Sequence, residues 1–191
     1  MKKTFSFVVL GAVMISAAIY FTDFGNWLRS SILQNQPEYV TLHTNHGNIK
    51  IKLYLKEAPK LTENFLCLTK NKKYNDTIFH RVIEGFMIQG GDFTNFDGTG
   101  GESCQGGLLE DEFSPTLSHI RGAVSMANRG PNTNGSQFFI VQKDAAFLDG
   151  RHSIIGHVVE GMSVVDNIAD EKTDASDRPF EPVKIERTII Q

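Results

Sequence analysis

Cysteine is scarce in this chain. Among 191 residues only Cys67 and Cys104 carry a thiol, enough for one disulfide at most. Sequence alone does not show that the two can meet. The preferred reading is two buried free thiols, because unpaired cysteine is among the most often buried residue types. Charge of one sign is also scarce. Nineteen basic and twenty-two acidic residues leave a formal net charge of −3, so no nucleic-acid partner is expected. Lys70, Lys72 and Lys73 read as a solvated helix end. Internal repeats and low-complexity tracts are missing. His43 and His46 straddle a turn without the further Cys, Asp or Glu that a metal site needs, so neither metal nor other cofactor is expected. Cys104 and His119 could be drawn as a hydrolase pair, but nothing around them would activate the thiol.

Long hydrophobic runs are limited to one. Lys2 and Lys3 precede an uncharged apolar segment from Phe5 to Phe21, at the lower limit for crossing a bilayer. Ser16, Ala17 and Ala18 offer a cleavage site, whereas Tyr20, Phe21, Phe24 and Trp27 resemble an interfacial aromatic belt and favour a retained anchor. No cysteine ends the run, which argues against a lipoprotein. The expected organisation is a signal anchor or signal peptide over 1–25, folded as a hydrophobic helix, then a polar linker over 26–37 and one domain over 38–191. That domain is expected outside the cytoplasm, in a periplasm or on the outer face of the cell membrane, with the N-terminus inside.

Within the domain, Val40 and Leu42 alternate with polar neighbours, and so do Ile49, Ile51, Leu53 and Leu55 after a turn at Asn45–Gly47. Strict period two predicts strands with one buried face. Pro59 at a first turn, with Leu61, Phe65 and Leu68 at i, i+4 and i+7, predicts a helix over 59–70. Short apolar runs at 78–83, 86–89, 122–127, 137–141 and 153–159 follow, then a short helix over 162–169 and a closing strand around 183–186. Many short strands, glycine turns and two helices predict a mainly β fold, a closed antiparallel barrel. The irregular stretch from 92 to 115 reads as a functional surface loop.

Two glycine-punctuated segments carry the chemistry. Phe79, His80, Arg81 and Val82 lead into Gly85-Phe86-Met87-Ile88-Gln89-Gly90-Gly91-Asp92. Ser125-Met126-Ala127-Asn128-Arg129-Gly130 leads into Pro131-Asn132-Thr133-Asn134-Gly135-Ser136-Gln137-Phe138-Phe139. They supply one cation, several amides and a Phe/Met cluster, but no obvious nucleophile. Such a set suits gripping a peptide and turning one of its bonds, not cutting it. A third block is Phe147-Leu148-Asp149-Gly150-Arg151-His152. By order and spacing the three blocks resemble the cyclophilins, the cyclophilin-type peptidyl-prolyl cis/trans isomerases, over roughly 38–191. The resemblance implies an eight-stranded barrel capped by two helices, with the groove outside. It also implies catalytic roles for Arg81, Gln89 and Asn128, with Gln89 orienting the Arg81 guanidinium. Phe86, Met87, Ala127, Gln137, Phe139, Phe147, Leu148 and His152 would bind substrate. Side-chain alternation assigns Phe139 to the groove and Phe138 to the core.

Two residues depart from the family's pattern. Phe147 stands where cyclosporin-sensitive members carry Trp, so weak cyclosporin binding is expected. Arg129 replaces a small residue and adds charge at the groove edge, expected to favour acidic or carbonyl-rich flanks of the proline. The glycines at 98, 100 and 101 faintly suggest a phosphate loop, but its lysine is missing. The expected partners are proline-containing polypeptides, with the membrane reached through the N-terminal segment, and the expected state is a monomer. A proline-segment-binding chaperone with little catalysis is the alternative.

Overall fold

The computed structural model describes residues 39–191. The expected N-terminal helix, anchor or signal segment and linker lie outside the described residues. Among the described residues, no helix is long and apolar enough to cross a membrane.

The chain opens with a hairpin of β1 (Tyr39–Thr44) and β2 (Gly47–Leu53), in which Val40 faces Ile51 and Leu42 faces Ile49. All four are fully buried, as their alternation requires. Helix α1 (Pro59–Lys70) starts on a proline but has no side-chain cap of its own. The Glu112 carboxylate supplies one from a distant loop, accepting from the amides of Lys60 (3.2 Å) and Leu61 (2.9 Å). These are donors that a helix start otherwise leaves unsatisfied. The remaining elements are β3 (Thr77–Ile83), β4 (Met87–Gly90), β5 (Ala123–Met126), β6 (Phe138–Val141), a short 3-10 helix (Ala146–Leu148), β7 (Ile154–Glu160), α2 (Met162–Ala169) and β8 (Lys184–Ile190).

The strands close an antiparallel barrel in the order β1-β2-β7-β5-β6-β4-β3-β8. Strand β8 runs further than its apolar alternation indicates, because Thr188, Ile189 and Ile190 pair with Leu42, Thr41 and Val40 to close the wall. At that seam the amide of Gln191 donates to the carbonyl of Tyr39 (2.9 Å). The interior is filled. Phe138 sits edge-on to Phe65 and Tyr74, each with centroids 5.4 Å away, and to Phe79 at 6.3 Å. The Tyr74 hydroxyl donates to the carbonyl of Ser136 (3.0 Å), satisfying the one polar atom this aromatic group buries.

The two cysteines correct the expectation of buried free thiols. Cys67 and Cys104 form a disulfide, with Cα atoms 6.0 Å apart, and both are only half-buried. Asn64 explains the meeting. One turn before Cys67, it accepts the Cys104 amide (2.8 Å) and donates to the Gly135 carbonyl (2.9 Å). It thereby docks the 92–115 loop against the helix edge that carries Cys67. The loop holds no strand or helix, only an isolated bridge between Leu109 and Asn134. A crosslink spanning 37 residues removes chain entropy from the unfolded state. Paired Cys67→Ser and Cys104→Ser substitution is expected to lower stability by about 2–4 kcal/mol, read by urea denaturation against the oxidised protein.

Candidate active site

A β-bulge aims the central side chain. On β3 the pairing with β4 slips between Phe79 and Arg81. Phe79 therefore points into the barrel and Arg81, two residues on, points out, though unbroken alternation would put both on one face. The slip sets Arg81 opposite Gln89 on β4, Gln89 opposite Phe139 on β6, and Phe139 opposite Ser125 on β5. These four residues form a row across the outer wall.

Below this row lies a second apolar cluster, separate from the interior. Met87, Ala123, Phe139, Val141, Ala145 and Ile154 form it, with Phe86, Ala127 and Leu148 packed against it. Phe138 and Phe139 divide as alternation predicts, Phe138 at 0% exposure in the interior and Phe139 at 5% in the outer cluster. Phe147 is 63% exposed, its ring 5.7 Å from that of Phe86. His152 stands edge-on to Phe139 at 5.4 Å, and its Nδ1–H donates to the Met126 carbonyl (3.1 Å).

The polar half of the site is a cavity of about 160 Å³ bordered by Gln89, Ala127, Asn128, Arg129, Gln137 and the glycine loop. Gln137 Nε2 donates to the carbonyls of Gly98 (2.9 Å) and Gly100 (2.7 Å), and its Oε1 accepts from Gln89 Nε2 (2.9 Å). Asn128 fixes its side chain on the Arg151 carbonyl (2.8 Å). Its backbone N–H and C=O have no partner among the described residues. Arg129 delivers the expected charge to the groove edge, but its Nη2 already donates to the carbonyls of Thr99 and Gly98. The chain itself supplies the carbonyl acceptors expected of a substrate.

The glycine loop does hold an anion, and that anion is Asp92. Its wholly buried carboxylate accepts from the amides of Thr94 (3.1 Å), Asn95, Gly98 and Gly100 (3.0 Å each) and from the Thr94 hydroxyl (3.0 Å). Burial opposes the charge, but these donors prevail and hold the carboxyl well below the usual carboxylate range. A side chain at Gly100 would collide with Thr94 Oγ1 and Asp92 Oδ1. The amides that a phosphate loop would offer at Gly98 and Gly100 are thus spent on Asp92.

Gln89 stands opposite Arg81 and donates its Nε2 to Gln137, and no hydrogen bond joins it to Arg81 among the described residues. Arg81 bonds through Nε to Asp177 Oδ2 (3.2 Å), and neither Nη atom has a partner among the described residues. Sequence reasoning missed Asp177, which lies 96 residues from Arg81 in a polar stretch without periodicity. His119, considered in the sequence only beside Cys104, stacks its ring behind Phe139 at 6.0 Å. His119 Nδ1–H donates to Asp149 (2.6 Å) and its Nε2 accepts from the Ser125 hydroxyl (2.9 Å). The connectivity is that of a hydrolase triad, but Ser125 and His119 are both 0% exposed, so no substrate reaches the hydroxyl. Cys104, the other partner considered for His119, is occupied by its disulfide.

Comparison with known proteins gives consistent matches. The family profile described as "Cyclophilin type peptidyl-prolyl cis-trans isomerase/CLD" matches residues 39–190. The chain is 50% identical over 165 residues to the peptidyl-prolyl cis-trans isomerase CYP71 of Arabidopsis thaliana, covering 86% of this chain but 25% of that protein. This chain thus spans about a quarter of that relative. It is 45% identical over 158 residues to CYP18-2 of the same plant, covering 82% of this chain and 96% of the relative. A crystal structure of a Cryptosporidium parvum cyclophilin-type isomerase in the presence of the dipeptide Ala-Pro superposes with a TM-score of 0.77. Its identity is 38%, and the match covers 80% of this chain and 98% of that one.

Burial also depresses the proton affinity of His80, His119, His152 and His157. The unfolded chain takes up protons below about pH 6.5, whereas these imidazoles, when folded, take them up only at lower pH. The unfolded state then binds more protons, so stability falls as pH drops. Thermal melts from pH 7.5 to pH 5 are expected to show a falling Tm. A flat profile would contradict this account of the buried histidines.

Proposed function

Because the chain belongs to the cyclophilin-type peptidyl-prolyl cis/trans isomerases, we propose that it accelerates rotation about X-Pro peptide bonds through Arg81. Rotation costs about 18–20 kcal/mol because the amide loses its resonance. In the twisted state the proline nitrogen recovers a lone pair and accepts a hydrogen bond better than either planar form does. A donor aimed there binds the transition state preferentially. The carrying observation is the outer-wall row. A permanently charged guanidinium, its Nη atoms without a partner among the described residues, stands one strand from Gln89 and Met87 on β4 and two from Phe139 on β6. In this reading the proline ring seats on Phe86, Met87, Phe139 and Leu148, with His152 at the rim. The free backbone groups of Asn128 pair with the extended substrate and hold one side of the bond still. The chemistry draws only on the chain's own side chains and backbone.

A chaperone that merely holds proline segments would use the same platform but has no need of a donor over the imide nitrogen. In a protease-coupled assay on a prolyl peptide, Arg81→Ala is expected to lower kcat/KM by about 100-fold or more, with peptide affinity changing much less. If wild type accelerates nothing, the holding reading replaces this one. Phe147 lacks the indole N–H, so in the same assay cyclosporin is expected to inhibit weakly. Tight stoichiometric block would refute that.

The proposed clients are exported proteins during folding, reached through the N-terminal apolar run. The mass of the native N-terminus in membrane and soluble fractions tests this. A retained run in the membrane fraction is the anchor outcome, loss of the first residues is the signal outcome, and an intact soluble chain rejects export.

A further inference from the structure

We propose that Asp177 is a positioning residue for Arg81, setting the direction of the guanidinium before substrate arrives. The proposal rests on the reading of Arg81 as the donor to the imide nitrogen.

Strand β3 pairs with β8 only at Thr77 and Ile78, so its outer edge is open beyond Phe79. The loop between α2 and β8 fills that edge. The Asp177 carbonyl accepts the amide of Val82 (2.7 Å), the residue next to Arg81, and the Asp177 carboxylate accepts Arg81 Nε–H (3.2 Å). One residue thus grips both the backbone beside the arginine and the arginine itself.

The grip is held from below. The Asp174 carboxylate accepts the amides of Ser176 (2.8 Å) and Arg178 (3.1 Å), and the Asp174 amide donates to the Arg178 carbonyl (2.9 Å). Thr173 and Pro179 form a bridge across the loop's base. This turn places Asp177 at φ 64°, in the left-handed region where Asp and Asn are tolerated better than most residues.

The choice of atom matters. An arginine side chain carries many rotamers, and its planar fork offers five donors. Tying Nε on one edge fixes the plane of the fork while leaving both Nη groups to the substrate. Gln89, opposite on β4, donates its Nε2 to Gln137 and makes no hydrogen bond to Arg81 among the described residues, so the one side chain bonded to the guanidinium there is Asp177. The pair is part-exposed, with side chains 45% and 40% accessible. Its importance is therefore in direction, not in stability.

Two variants separate the carboxylate from the loop. Asp177→Asn removes the charge, and Asp177→Gly removes the side chain while keeping the left-handed backbone accessible. Both are expected to fold with a Tm near wild type. Both should lower kcat by about tenfold while leaving KM for a prolyl peptide nearly unchanged. In ¹H–¹⁵N spectra, the Arg81 Nε–H resonance should shift and broaden in both variants. Unchanged kcat in both variants overturns the proposal. So does a lower kcat with an unaltered Arg81 Nε–H signal, since the loss would then come from the loop and not from the guanidinium. The Arg81→Ala rate is measured alongside. If that variant retains wild-type activity, the donor reading fails as well. If it is impaired while the Asp177 variants are not, only the positioning role is lost.

Discussion

A closed barrel whose interior is packed with aromatic rings leaves a strand residue two fates. Its side chain either enters the interior and contributes to stability, or faces outward and can meet another molecule. Phe138, Phe79, Ile88 and Ile140 take the first course and pack together inside. The site therefore has to be assembled on the outer wall. Its composition depends on which residues alternate outward and on where alternation is interrupted. The slip in β3 is the interruption that matters, because without it Arg81 would share Phe79's face. Outer positions do not require exposure, since Met87 and Phe139 are almost fully covered by their own cluster. The result is a firm apolar floor with polar groups around its margin.

Features generated by local pattern could be read in the sequence. Apolar alternation located the strands, i, i+4, i+7 spacing located α1, and alternation alone separated Phe139 from Phe138. The glycine-rich blocks were legible because residue type and spacing agreed over several positions. What escaped depended on contacts between segments far apart in the chain. Asp177 has no local periodic signal, and its relation to Arg81 arises only when the loop fills the edge that β8 leaves open. Glu112 likewise caps α1 from about fifty residues away. The disulfide was misjudged for the same reason, since the docking contact made by Asn64 has no counterpart in residue spacing. The bond from Gln89 Nε2 to Gln137 was equally out of reach, because Gln137 lies 48 residues away in the chain.

Polar burial follows one rule on both sides of the groove. On the glycine-loop side, the Asp92 carboxylate is surrounded by donors and remains charged. On the other side, His119 is flanked by a carboxylate and a hydroxyl, and burial keeps its imidazole neutral. Each group organises the segment in front of it, the glycines in one case and the Phe139 ring in the other, while staying out of reach of substrate. The glycine loop is thus irregular only in its backbone path. The amides of Thr94, Asn95, Gly98 and Gly100 all turn onto one carboxylate, which ties this part of a long connection into a wall of the cavity.

The seam between Tyr39 and Gln191 has a mechanical consequence. Strand β1 lies between β2 and β8 and is hydrogen-bonded to both. Tension entering the domain through the chain ahead of Tyr39 would run along β1 and load two antiparallel ladders together in shear. Bonds in such a geometry yield as a group, whereas an edge strand peeled from one neighbour would release them singly. The entry point of the domain is thus one of the places where its wall resists traction best, and the pull would reach the groove only through β8, which pairs with β3 at Thr77 and Ile78 alone.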